Sequence, residues 1–256
     1  VYFLDFLNAQ RFSFRLFSSD RIIEIRKDSI SYGGFVLSKD ILEKGAIVQR
    51  DKETYAIAPH IPGGIIDPAT LRKIADVAEK YNAKVLKLTS AQRIAIVGIR
   101  PEDIDNAWKD LGMSPGHAIG MCVRSVKICP GTTFCKRGQQ DSVGVGLKLD
   151  ERYHGYQLPW KFKMGVSGCV NSCAEPWIKD IGLIGTSKGW RVVVGGCAGA
   201  KPRIAQVLAE NLNDEEAIDL VDRIINYYKA HAKKQRLGEF IEEIGFERFK
   251  GEVLGS

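Results

Sequence analysis

Two cysteine pairs constrain this chain more than any other feature: Cys129 and Cys135 in CPGTTFC, then Cys169 and Cys173 in CVNSC. Five residues separate the first pair, three separate the second, and a long interval lies between them. Any fold this sequence adopts must bring two distant loops together if the four thiolates are to act as one site. The spacing suits an iron–sulfur cube, whose corners take thiolates from separate loops.

Other uses of cysteine fit less well. Zinc ribbons favour gaps of two to four residues in both pairs, which leaves the first pair out of register. A disulfide framework belongs to small secreted chains, whereas this sequence has 256 residues and shows no secretory signal. Cys122 and Cys197 have no partner at ligand spacing and read as small buried hydrophobes.

The pieces around the cysteines form a joint pattern: KLTSAQRIAIVGI (87–99), CVRSVKICPGTTFCKRGQQDSVGVG (122–146), LPWKFKMGVSGCVNSCAEPWIKDIGLIG (158–185) and GWRVVVGGCAGAKPR (189–203). Together they resemble the siroheme and [4Fe–4S] nitrite/sulfite reductases. The likeness is greatest to the short, single-repeat members and to the C-terminal module of the nitrite reductase large subunit. The resemblance implies that Cys129, Cys135, Cys169 and Cys173 ligate the cluster, with Cys173 also bridging to siroheme. It implies a substrate face lined by Arg124, Lys161 and Lys163, with Arg93 reaching either substrate or a siroheme carboxylate. Where the family often has an arginine directly before the glutamine, this chain has Ala91. Siroheme is rich in carboxylates, and its expected donors are Gln92, Arg93, Thr132, Thr133, Lys136, Arg137, Asn171, Lys201 and Arg203. The arginines among them offer bidentate forks.

The chemistry of the residues agrees with that implication. Sulfite and nitrite are small anions whose reduction takes six electrons and several protons. Cations around the reacting position would concentrate the anion and stabilise charge on its oxygens. Lys161 and Lys163 alternate across Phe162 in an expected strand, so both cations share one face while Phe162 points into the core. The loop GGCAGAKPR matches neither a Walker A nor a GxGxxG pattern, so nucleotide binding there is set aside.

The expected fold class is α+β, in three parts. Residues 1–34 are an N-terminal extension, 35–115 a ferredoxin-like lobe, and 116–256 a siroheme and [4Fe–4S] lobe with a helical tail at 203–246. In the first lobe GAIVQRD and TYAIAPH read as strands. Asp67-Pro68 opens a helix, AKVLKLTS and RIAIVGI pair, and a second helix runs over 101–111. No apolar run approaches membrane-spanning length, and no nucleic-acid motif accompanies the net charge of +6. That mild basic bias suits an anionic substrate and an acidic external donor such as ferredoxin, or a reductase subunit. The thiolates imply a reducing, cytoplasmic setting. A single copy of the cysteine-and-cation block raises the hypothesis of a site completed across a homodimer. The leading function is sulfite reduction to sulfide. Nitrite reduction by the same site, a non-catalytic siroheme/Fe–S redox subunit and a zinc-stabilised interaction domain are the alternatives.

Overall fold

The computed structural model describes residues 39–255 throughout. Before them it describes the backbone of four short strands, β1 (Phe14–Ser18), β2 (Arg21–Ile25), β3 (Ser31–Tyr32) and β4 (Phe35–Val36), paired as two antiparallel hairpins. Apart from those strands, the expected extension at 1–34 lies outside the described residues.

The first sheet has the order β5-β6-β8-β7, from β5 (Ile47–Val48), β6 (Tyr55–Ile57), β7 (Val85–Leu88) and β8 (Ile94–Ile99), and every pairing is antiparallel. Two helices complete it, α1 (Pro68–Lys80) and α2 (Ile104–Leu111). The start of α1 is fixed locally. Asp67 accepts hydrogen bonds from the Ala69 and Thr70 amides, and Pro68 occupies the first turn, where no amide donor is needed. Ile74, Val77, Ala107 and Leu111 then pack with Ile57, Ile96 and Ile99 as one apolar core. Alternation in β8 sends Ile94 and Ile96 to that core.

The second sheet has the order β13-β12-β11-β10-β9. It comprises β9 (Lys127–Ile128), β10 (Met164–Ser167), β11 (Ile181–Thr186), β12 (Gly189–Val194) and β13 (Gln206–Leu212). The β9–β10 and β10–β11 pairs are parallel and the rest antiparallel. Short α3 (Gly131–Phe134) and longer α4 (Ser142–Tyr153) follow β9; α5 (Asp214–His231), α6 (Leu237–Ile244) and α7 (Phe246–Leu254) close the chain. A second apolar core joins Leu149, Phe162, Val192, Ile224, Tyr228, Phe240 and Phe249.

Two sequence expectations need correction. The tail is not helical from 203: Gln206–Leu212 forms β13, because it pairs with β12 and buries Leu208. Helix begins only at Asp214, where Asn213 and Glu216 exchange side-chain and backbone hydrogen bonds. The KFK segment also lies outside regular strand. Phe162 makes a single bridge to Val123, and β10 starts at Met164. Alternation survives regardless, with Phe162 fully buried and Lys161 and Lys163 exposed.

Candidate functional site

The cysteine loops are locked together by glycine contacts. Cys129 follows β9 and Cys135 caps α3, while Cys169 and Cys173 follow β10. Gly168 is the contact point: its carbonyl accepts from the Gln139 and Gln140 amides, at 2.7 and 3.0 Å. Its own amide donates to Cys129 Sγ at 3.1 Å. A side chain at Gly168 would lie 2.7 Å from both the Gln140 carbonyl oxygen and Gly131 Cα, so only glycine lets the loops approach this closely. All six cysteines are free thiols, Cys122 and Cys197 being the two buried ones.

Among the described residues, no group of three or more His, Cys, Asp or Glu side chains converges as the ligands of a single ion. The cysteine loops fit a larger group better. Each presents an apolar side chain to solvent beside a cysteine: Phe134 next to Cys135, 74% exposed, and Val170 next to Cys169, 60% exposed. A bound apolar macrocycle would cover such surface. An amide aimed at a sulfur, as Gly168 is at Cys129, is the kind of contact that tunes a metal–thiolate group.

A cationic cleft of about 310 Å³ lies nearby. Six cations line it, Arg93, Arg124, Lys127, Lys161, Lys163 and Lys179, and no described carboxylate does. Ala91 sits in the same wall, with Thr89 and Ser90. The two arginines are fixed by backbone carbonyls. Arg93 Nη1 donates to Gly116 O and, at 3.2 Å, to Ser125 Oγ; Arg124 donates to His117 O and Gly120 O. Arg93 Nε is buried without a hydrogen-bond partner among the described residues. Burial, reinforced by Arg124, draws the Arg93 pKa down to about 10, and burial also lowers that of Arg124. Lys163 is exposed overall, yet its ammonium is partly buried near Arg236 and Lys179, and those effects pull its pKa down.

Lys127 and Lys179 were not singled out from sequence. Both bind Glu175, at 2.8 and 2.9 Å, and hold its carboxyl down at about 2. The i, i+4 spacing of Glu175 and Lys179 was the only local signal for either.

Several expected siroheme donors are engaged elsewhere. The Gln92 amide bonds both ways with the Ile128 backbone, at 2.8 and 2.9 Å, bracing β9 against the first lobe. Arg203 makes a bidentate pair with Glu242 at 2.6 and 2.8 Å, so its fork already has a carboxylate. Thr133 donates to Asp141 at 3.3 Å. Thr132, Lys136, Arg137, Asn171 and Lys201 are exposed, the first four on the cysteine loops and Lys201 in the loop that the Cys197–Arg203 bridge closes.

The same buried layer fixes Lys163. Asp180, wholly buried, accepts from the Lys163 amide at 2.8 Å and from Arg236 Nε at 3.1 Å and Nη2. Burial pushes the Asp180 carboxyl up, and Arg236 and the Lys163 amide oppose that push.

A family model described as the nitrite and sulphite reductase 4Fe-4S domain matches residues 119–256, and one described as the nitrite/sulfite reductase ferredoxin-like half domain matches 47–114. The chain is 43% identical over 213 residues to an assimilatory-type sulfite reductase of Nitratidesulfovibrio vulgaris, covering 83% of this chain and 98% of that one. It is 38% identical to the nitrite reductase (NADH) large subunit of Escherichia coli, covering 82% of this chain but only 25% of the relative. The fold is shared with dissimilatory sulfite reductase I, at a TM-score of 0.71 and 16% identity over 79% of this chain and 69% of that one. It is shared also with the NirA protein of Mycobacterium tuberculosis, at 0.69 and 20% over 79% and 40%. The chain therefore belongs to the nitrite and sulfite reductase family, oxidoreductases whose cofactors are siroheme and a [4Fe–4S] cluster.

Proposed function

We propose that this chain catalyses the six-electron reduction of sulfite to sulfide, with electrons from an external donor. The observation that carries the reading is the cleft lined by six cations and by no described carboxylate. Such a lining attracts a small oxyanion and takes up charge as its oxygens leave. Sulfite is preferred over nitrite because the relative that the chain spans almost end to end is named a sulfite reductase. The nitrite reductases are spanned to about a quarter or less.

In this reading Cys129, Cys135, Cys169 and Cys173 would hold the cluster, Cys173 would also serve siroheme, and the free donors Thr132, Lys136, Arg137, Asn171 and Lys201 would meet siroheme carboxylates. When bound, the two cofactors supply the iron that receives the anion and the electrons that reduce it. Lys161, Lys163 and Arg124 orient the anion's oxygens, and Arg93 adds its charge to the wall. The proposed division is a ferredoxin-like lobe at 35–115 and a cofactor lobe at 116–256, supported by their separate apolar cores. The donor is a ferredoxin or a reductase subunit, and two copies complete the assembly in the cytoplasm. No helix among the described residues is long and apolar enough to cross a membrane.

The test is the absorption spectrum of anaerobically purified protein under reduction, titrated with each anion. Porphyrin bands that shift with sulfite at lower concentration than with nitrite are expected; a protein without porphyrin bands after siroheme supplementation would remove the reading. Lys161→Met and Lys163→Met should each lower turnover by about 10²-fold. Their spectra should stay unchanged, since neither lysine is assigned to hold a cofactor.

A further inference from the structure

Three of the four histidines gather beside Arg93 and Ser125. His60 and His154 stack with ring centroids 3.4 Å apart, and His117 meets His154 edge-on at 4.8 Å. Stacked rings direct their nitrogens along the ring planes and not at a common point, so the cluster is no metal site. It is a hydrogen-bonded chain instead. His60 Nε2 lies 2.7 Å from Asp150 Oδ2, and His60 Nδ1 lies 3.3 Å from Ser125 Oγ. Ser125 Oγ in turn accepts from Arg93 Nη1.

The two ends of that chain open into different cavities. Ser125 and Arg93 line the cationic cleft. His60, Asp150, His154 and Glu151 line a separate recess of about 400 Å³. Between them the path is shielded: the Asp150 side chain is 2% exposed and that of His60 11%. Asp150 is itself held, its Oδ1 accepting from the Val126 amide at 2.8 Å. Reduction in the cleft consumes protons: sulfite, six electrons from the donor and seven protons give the hydrosulfide anion and three waters. The nearest cations fixed in the wall, Arg93 and Arg124, are poor proton donors near neutral pH.

We infer that Asp150, His60 and Ser125 form a proton relay from the recess to the substrate cleft. The inference rests on the reading of the cleft as the reduction site. Ser125 gives its hydroxyl proton to the anion's departing oxygen as His60 Nδ1 protonates Ser125 Oγ. That leaves the ring proton on Nε2; rotation of the neutral imidazole turns its bare nitrogen toward the recess, where hydronium from bulk water restores the imidazolium beside Asp150. His154 remains neutral near pH 7, its pKa drawn down to about 4 by burial and by His60. Burial lowers the pKa of His117 as well.

The experiment compares wild type with His60→Ala and His60→Gln as holoproteins. Turnover is measured with an artificial electron donor. Proton uptake in the first turnover, on rapid reduction of protein with sulfite bound, is measured separately with a pH-indicator dye. Both variants should keep the anion-induced spectral shift and lose about 10²-fold in turnover and in the rate of proton uptake. Added imidazole should restore His60→Ala at least severalfold, through the recess, and leave His60→Gln unchanged. Wild-type uptake rates in both variants would overturn the relay, as would slowed turnover with neither slowed uptake nor imidazole recovery. If His60→Ala fails to fold, slowed or unslowed uptake in His60→Gln decides. A wild type that reduces neither anion would defeat the proposed function and the relay with it, whereas variants with wild-type uptake beside an active wild type would overturn the relay alone.

Discussion

Replacing Asp180 with alanine should destabilise the fold by about 3–5 kcal/mol. Asp180 is wholly buried and takes hydrogen bonds from Arg236 and from the Lys163 amide. Alanine leaves the buried guanidinium without its counter-charge and the Lys163 amide without an acceptor. A buried pair broken on one side costs far more than the intact pair contributes, because the remaining ion keeps its desolvation penalty. Urea unfolding of wild type and variant would measure it. A change below about 1 kcal/mol would show that water reaches Arg236 and that the pair is effectively a surface one.

The second large effect is expected at Gly168. An alanine methyl there meets the Gln140 carbonyl oxygen and Gly131 Cα at 2.7 Å, both backbone atoms with no flexible end to yield. Overpacking of this kind typically costs about 1–3 kcal/mol. Here the relief must come from parting the two cysteine loops and lengthening the Gly168 N–H contact to Cys129. Gly168→Ala should therefore retain its helix content yet hold iron about 10–100-fold more weakly. Iron and acid-labile sulfide per chain after gel filtration provide the measurement. A variant with wild-type iron content would show that the loops can separate without consequence for the cluster.

Local signals in the sequence were strong where the structure is local. Asp67-Pro68 marked the start of a helix, and the apolar runs IGLIG and WRVVVGG became β11 and β12. Side-chain alternation at Lys161–Lys163 held even though the backbone there is only a bridge, because burying Phe162 fixes which way its neighbours face. What could not be read depends on partners distant in sequence. Gln92 becomes a brace only because Ile128 arrives opposite it, and Arg203 meets Glu242 from a helix 39 residues on. Strand β13 buries only Leu208 of its residues and owes its form to β12. The histidines at 60, 117 and 154 lie on three separated segments, and no spacing rule connects them.

The hold that Asp180 keeps on both the Lys163 backbone and Arg236 makes cleft and tail thermodynamic partners. Arg236 stands at the start of α6, so a tail that docks better also fixes Lys163 better. Coupling of this kind is reciprocal: whatever free energy the docked tail lends to anion binding, the bound anion must return to the tail. Amide hydrogen exchange in α6 should accordingly slow when sulfite occupies the cleft. On the proposed reading, the last helices would then report on whether the cleft is filled.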